Sequence, residues 1–157
     1  MGIVVFGASF VDVKGFPEGT YIPNGRNAGR VEYVHGGVAR NVVEDIANLE
    51  LRPMFVGTVD DTSMGKDVVE KLSRHKVNVD YVKVVPDGMG TWLALFDNNG
   101  DVAGSISHRP DTYLPYSILE EHGDEIFKDC DSVILELDMH KDVVKKTIDL
   151  AEKYSKK

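Results

Sequence analysis

The chain has 157 residues, 42% of them apolar and 28% charged, with a formal net charge of −8. These values exclude a disordered, collagen-like or coiled-coil chain and suit one domain large enough to own a core. The acid excess disfavours nonspecific binding to nucleic acid or anionic lipid, which needs clustered cations, and no apolar run approaches the ~18 residues of a membrane span.

Ile3–Phe6 is a short apolar run ending at Gly7 and reads as a buried strand. No basic segment precedes it, so the start does not read as a secretion signal. Residues 8–35 carry scattered glycines and prolines, with β-like pieces at 10–13, 20–22 and 30–34. In the last piece, Val31 and Tyr33 alternate with polar neighbours, the mark of a half-exposed strand. Gly36-Gly37 then opens a helix. Val38, Val42, Ile46 and Leu49 form one apolar stripe, with Ala39, Val43 and Ala47 beside it, so deep packing is expected. Pro53 ends this helix, and 54–56 is a second core strand. Thr62 or Ser63 caps a helix expected over 66–75. Residues 77–85 alternate and read as strand. Residues 91–96 and 102–107 flank Asn98-Asn99-Gly100-Asp101 as a hairpin, because Asn and Gly tolerate φ > 0. Residues 116–121 and 124–127 read as short helices and 132–138 as a third core strand, buried on both faces. Residues 141–157 form an amphipathic helix with Val144, Ile148 and Ala151 inward. The expected class is α/β, with three β-α units around a parallel sheet and an antiparallel excursion. Three parallel strands are narrow for such a fold, which points to an incomplete domain.

Open α/β sheets bind ligands at the carboxyl ends of their strands. Asp12 follows the first strand, and Asp138 ends the third core strand. Gly36-Gly37 permits close backbone approach and leaves helix N–H groups for a polar ligand. Asn41 adds a donor and an acceptor. Each has a plainer reading as a turn or loop-start residue, and spacing alone does not choose. Gly7-Ala8-Ser9 lacks the Gly-x-Gly-x-x-Gly of a dinucleotide loop, and Gly65-Lys66-Asp67 lacks the upstream glycine of a phosphate loop. The histidines at 35, 75, 108, 122 and 140 show no metal-ligand spacing, although His35 adjoins Gly36. Ser9, Ser63 and Ser105 lack a nucleophile-elbow context. Cys130 stands alone, which excludes an internal disulfide and a Cys-based zinc site and fits a reducing cytoplasm. Trp92 and Phe96 share one hairpin face, where packing or a subunit contact is favoured over base stacking.

The run Gly36-Gly37-Val38-Ala39-Arg40-Asn41, followed by Val42, Val43, Ile46, Ala47 and Leu49, resembles the first signature of the ribokinase-like (PfkB-type) carbohydrate kinases. The first strand with Asp12, the segment from Phe55 to Gly65 and the β pieces at 10–35 and 77–107 support it in order. Arg40-Asn41 within the motif is similar to the pseudouridine kinase branch. The resemblance implies a partial ribokinase-like three-layer sandwich over 1–157, with an inserted antiparallel β lid at 10–35 and 77–107. It implies a sugar or nucleoside substrate held by Asp12, Gly36, Gly37, Asn41 and a polar residue near Asp138. It also implies MgATP as phosphoryl donor and a lid that excludes water and pairs with a second subunit's lid. The family's catalytic Gly-x-Gly-Asp does not occur: Asn98-Asn99-Gly100-Asp101 and Glu121-His122-Gly123-Asp124 both lack the first glycine. Asn41-Val42-Val43-Glu44 matches the family's magnesium-linked Asn-x-x-Glu in letters but sits in the substrate helix. No catalytic or metal-binding residue is therefore assigned, and the C-terminal nucleotide-binding half is expected to be absent. Glu50 and Asp60 stand where the family carries glycines and are expected to strain their turns.

The expected function is the substrate-binding half of a sugar or nucleoside kinase, inactive alone. The alternatives are a non-catalytic sugar-binding or lid-dimerising module, and a remnant that merely dimerises.

Overall fold

A computed structural model describes residues 2–157; Met1 lies outside the described residues. Strand β1 (Ile3–Phe6) lies between β4 (Met54–Val59) and β8 (Ser132–Leu135), parallel to both, and β5 (Val82–Val84) extends the sheet beyond β4. The strand order is β5-β4-β1-β8. A parallel sheet must be covered on both faces, and successive side chains along β1 serve opposite layers. Val5 joins Phe55 and Val59 beneath α1 (Val38–Asn48) and α2 (Ser63–Arg74). Val4 and Phe6 join Val56 beneath α3 (Tyr116–Asp129) and α4 (Lys141–Lys153). The result is the expected three-layer sandwich.

The second sheet has the order β3-β2-β6-β7, from β2 (Phe10–Pro17), β3 (Gly29–Gly36), β6 (Gly90–Phe96) and β7 (Val102–His108). Its two hairpins are antiparallel as expected, but β2 and β6 meet in parallel at its centre. Both strands leave the core sheet at the carboxyl ends of parallel strands, β1 and β5, so they start out in the same direction.

Several expected boundaries move. Residues 77–85 do not form one lid strand. Asn78 makes a bridge to Met54, its carboxamide accepts from the Asp80 N–H at 2.8 Å, and only Val82–Val84 is strand. That strand belongs to the core sheet, which has four strands where three were expected. Residues 20–22 form no strand; Asn98 at the β6–β7 turn ties their loop through Tyr21 N–H at 2.6 Å and Gly19 C=O at 2.7 Å. The two short helices at 116–127 are one helix, α3, in which Gly123 lets Leu150 of α4 approach: a Cβ there would lie 2.7 Å from Leu150 Cδ1. Strand β8 is an edge strand, so Ile134 is left partly open and not buried on both faces.

Helix faces also shift in part, although Val42 and Ile46 of α1 and Val144 and Ala151 of α4 pack against the core as expected. In α1 the buried stripe is Ala39, Val43 and Ala47, whereas Val38 is 66% exposed and Leu49, past the last turn, 74% exposed. Small residues win because α1 sits tight on the β1 end, where a Cβ on Gly7 would fall 2.3 Å from Ala39 Cβ. In α4 the buried residues are Val143, Thr147 and Leu150, with Ile148 exposed; Thr147 Oγ1 donates to Val143 C=O at 2.8 Å and so carries no unmet polar group inward. Thr62 is the N-cap of α2, its hydroxyl accepting from Gly65 N–H at 3.2 Å. Glu50 does adopt φ 64°, at a cost of about 1–2 kcal/mol. Asp60 does not take a left-handed conformation; its carboxylate instead accepts from Thr62 N–H and hydroxyl.

Candidate functional site

The β1 chain ends at Phe6, turns through Gly7-Ala8-Ser9 and enters β2, while β3 returns to Gly36 and starts α1 at Gly37. A cleft of about 610 Å³ opens where these turns meet the ends of β6, β7 and β8. It is lined by Phe10, Asp12, Gly37, Val38, Asn41, Trp92, Ser107, Arg109, Glu136 and Asp138. Four of the five residues singled out from the sequence, Asp12, Gly37, Asn41 and Asp138, therefore share one cavity. The fifth, Gly36, stands behind Asp12: a Cβ on Gly36 would lie 2.4 Å from Asp12 Oδ1.

Gly37 has φ 95°, and a Cβ there would press on backbone, 2.6 Å from Ala8 O and 3.0 Å from Ser9 Cα. The α1 N-terminus has no side-chain cap, and its first turn is closed by Asn41 N–H to Gly37 C=O at 2.9 Å. Its leading N–H groups and positive dipole end are free for a polar ligand. Asp12 lies directly across from Val34 and Trp92 in the lid sheet, with Lys14 Nζ 3.6 Å from its carboxylate. Asp138, at the core-sheet edge, pairs with Arg109, which follows β7.

Glu136 was missed by the sequence reading. It follows β8 two residues before Asp138, and its Oε2 accepts from Ala8 N–H at 3.0 Å. That seat requires Gly7, where a Cβ would fall 2.4 Å from the same oxygen. Its position just past the carboxyl end of β8, where open α/β sheets bind ligands, was the available signal. Arg109 and Ser107 were missed because nothing in a β-strand sequence marks which end reaches a cleft.

Behind the cleft, Arg40 is a charged residue only 4% exposed. Its Nε donates to Gly36 C=O at 2.9 Å, and its guanidinium pairs with Glu44. Lys71 of α2 reaches Glu44 at 3.0 Å. Burial pushes the Glu44 carboxyl upward, but hydrogen bonds from Arg40 and Lys71 outweigh it and hold the group below its ordinary range. Asn41-Val42-Val43-Glu44 thus splits, Asn41 to the cleft and Glu44 to this ion network. His35 pairs with Asp67 of α2 at 2.9 Å and does not line the cleft. Among the described residues, no group of three or more His, Cys, Asp or Glu is arranged to hold a metal ion. Asn98-Asn99-Gly100-Asp101 is the β6–β7 turn and Glu121-His122-Gly123-Asp124 lies within α3, both outside the cleft.

The carboxylates of Asp12, Glu136 and Asp138 thus line one cleft between the carboxyl edge of the core sheet and the second sheet. The chain belongs to the pfkB family of carbohydrate kinases, whose family model matches residues 2–153. It is 34% identical over 152 residues to a guanosine-inosine kinase of Exiguobacterium acetylicum, covering 96% of this chain and 50% of that protein. It is 25% identical over 126 residues to a pseudouridine kinase of Escherichia coli K12, covering 79% of this chain and 40% of that protein. The fold matches Arabidopsis thaliana ribokinase, solved with ribose and ATP, at a TM-score of 0.79 and 18% identity, over 98% of this chain and 51% of that one. The chain spans about half the length of the curated relatives it matches.

Proposed function

We propose that this chain is the substrate-binding half of a sugar or nucleoside kinase, which transfers the γ-phosphoryl group of ATP to a substrate hydroxyl. The supporting observation is the convergence of Asp12, Gly37, Asn41 and Asp138 on one cleft. Asp12, Asp138 and Glu136 accept hydrogen bonds from ligand hydroxyls, Asn41 both donates and accepts, and the open N–H groups of α1 donate. Such groups reject a ligand that lacks the matching hydroxyl, because they would be left unpaired.

The cleft does not fit a triphosphate. Three carboxylates face it against Arg109 and Lys14, a balance suited to a neutral polyol. Phosphoryl transfer rests on positioning and on neutralising charge at the phosphoryl group. ATP and magnesium are therefore proposed to bind to a catalytic half carrying Gly-x-Gly-Asp, and this chain alone is proposed to be inactive. Calorimetry with ribose, inosine and pseudouridine tests the cleft. Asp12→Ala is expected to weaken the best ligand by about tenfold to a hundredfold, as for a lost hydrogen bond to a charged group, with the melting temperature unchanged. If no sugar or nucleoside binds the native chain, the proposal fails. ATP-dependent phosphorylation is expected only after a Gly-x-Gly-Asp partner chain is added.

A second reading rests on the lid's outer face. Tyr33, Val13, Leu93 and Ile106 form one cross-strand row, and Val31 and Leu95 belong to the next. Ile106 is 70% and Tyr33 64% exposed. We propose that a second copy covers this face, giving a homodimer with the clefts free. Sedimentation should show a dimer at micromolar concentration that Ile106→Lys converts to monomer; a monomeric native chain would remove this reading. The buried Cys130, its thiol pushed up by burial, is compatible with a cytoplasmic setting. No described helix is long and apolar enough to cross a membrane.

A further inference from the structure

The polar residues of the cleft account for the hydroxyls of a ligand, but they leave one wall unexplained. That wall is apolar: Phe10, Val38 and Trp92. Trp92 is the direct cross-strand partner of Asp12, so both side chains leave the lid sheet on the same face and enter the cleft side by side. A sugar ring held by Asp12 and Asn41 therefore presents its neighbouring substituent to the indole.

The indole is held in place from behind. Phe96 meets it edge to face at 6.4 Å and 90°. Phe16 stacks on Phe96 at 4.7 Å and 13°, and the Arg30 guanidinium lies 4.3 Å over Phe16. The ladder Trp92, Phe96, Phe16, Arg30 runs outward along the inner lid face from the cleft. Phe96 is Trp92's one ring neighbour among the described residues, and Trp92 stays half-buried. A tryptophan recruited only to pack the lid would be closed off; this one lines a cavity of about 610 Å³. Cavities of roughly 300–1,000 Å³ are the ordinary size for small organic ligands. A free pentose satisfies the carboxylates but offers hydroxyls to an aromatic wall. A nucleoside carries a polar half for the carboxylates and a flat π half for the indole.

We infer that Trp92 is the specificity-determining residue of this cleft, a platform on which a nucleobase stacks, so that the cleft takes nucleosides in preference to free pentoses. This inference rests on the sugar or nucleoside reading of the same cleft. It reverses the preference that the sequence gives to packing or subunit contact at Trp92.

The chain contains a single tryptophan, so its fluorescence reports on this wall alone. Titration of the native chain with inosine is expected to quench Trp92 emission saturably, whereas ribose binds without quenching. By calorimetry, Trp92→Ala should weaken inosine by about tenfold or more, the loss typical of one base–aromatic stack, and leave ribose within about twofold. Trp92→Phe should keep inosine within about threefold, since a smaller ring still stacks. Bound inosine that leaves the emission unchanged overturns the inference. So does a Trp92→Ala variant with an unaltered inosine-to-ribose affinity ratio. In both cases ribose and inosine still bind, and the polyol cleft stands. Absence of binding by both ligands to the native chain sinks the cleft reading and this inference together.

Discussion

Gly37→Ala is expected to destabilise the chain by about 3 kcal/mol and to abolish measurable ligand binding. Two costs combine. With ψ 130°, the φ of 95° lies outside even the left-handed helical region, and a side chain there is strained by roughly 1–3 kcal/mol. Its Cβ would also lie 2.6 Å from Ala8 O and 3.0 Å from Ser9 Cα, backbone atoms that have no rotamer to move into, and overpacking of this kind costs about 1–3 kcal/mol. Relief requires α1 to lift off the β1–β2 turn, which carries Asn41 away from Asp12. Gly36→Ala makes the contrast. Its Cβ meets the Asp12 carboxylate, a side chain that can swing aside. That variant should lose under about 1 kcal/mol while binding falls by about tenfold, because Asp12 no longer faces the ligand. Urea denaturation and calorimetry on the two variants separate the effects. A Gly37→Ala chain as stable as the native one would show that the α1 start is not seated as described.

Arg40→Ala should cost about 3 kcal/mol, the low end for removing one member of a buried ion pair, because Lys71 remains on Glu44. It also frees the Gly36 carbonyl, so weaker ligand binding should accompany the lost stability. Arg40→Lys cannot supply both the Nε bond to Gly36 and the bond to Glu44, and should recover only part of either. The same network sets a pH dependence. Glu44 is held below its ordinary range by Arg40 and Lys71. Its contribution to stability is therefore complete above the unfolded-state value, near ~4.3, and is lost as pH falls through the lower folded-state value. Urea midpoints measured downward from pH 6 should fall through that window, and more shallowly in Glu44→Gln. An equal acid slope in both proteins would remove Glu44 from the account.

Much of this architecture was legible in the chain because local rules agree with the fold. The strands β1 and β4, the β6–β7 hairpin with its Asn-Gly turn and the Thr62 cap follow from period, turn chemistry and capping. Where local and tertiary preferences disagree, the tertiary preference wins. Val38 and Leu49 look like core by spacing, yet the sheet accepts the alanine stripe because α1 must come close. Residues 77–85 alternate like one strand, yet an Asn78 turn breaks them and delivers Val82–Val84 to the core sheet. The cleft divides in the same way. Asp12, Gly37, Asn41 and Asp138 sit beside strand ends or a Gly-Gly turn, where chain order alone directs attention. Glu136, Arg109 and Trp92 reach it through pairings between distant segments.

The chain by itself determined the α/β class, the family motif at Gly36 to Asn41 and the net acidity that disfavours nonspecific binding to nucleic acid or anionic lipid, since each is a property of neighbouring residues or of totals. Only the tertiary structure decided that Trp92 stands beside Asp12, that Glu136 tucks over Gly7, and that Arg40 is buried behind the cleft. Strand register and helix seating join residues dozens of positions apart, and no local pattern encodes those distances.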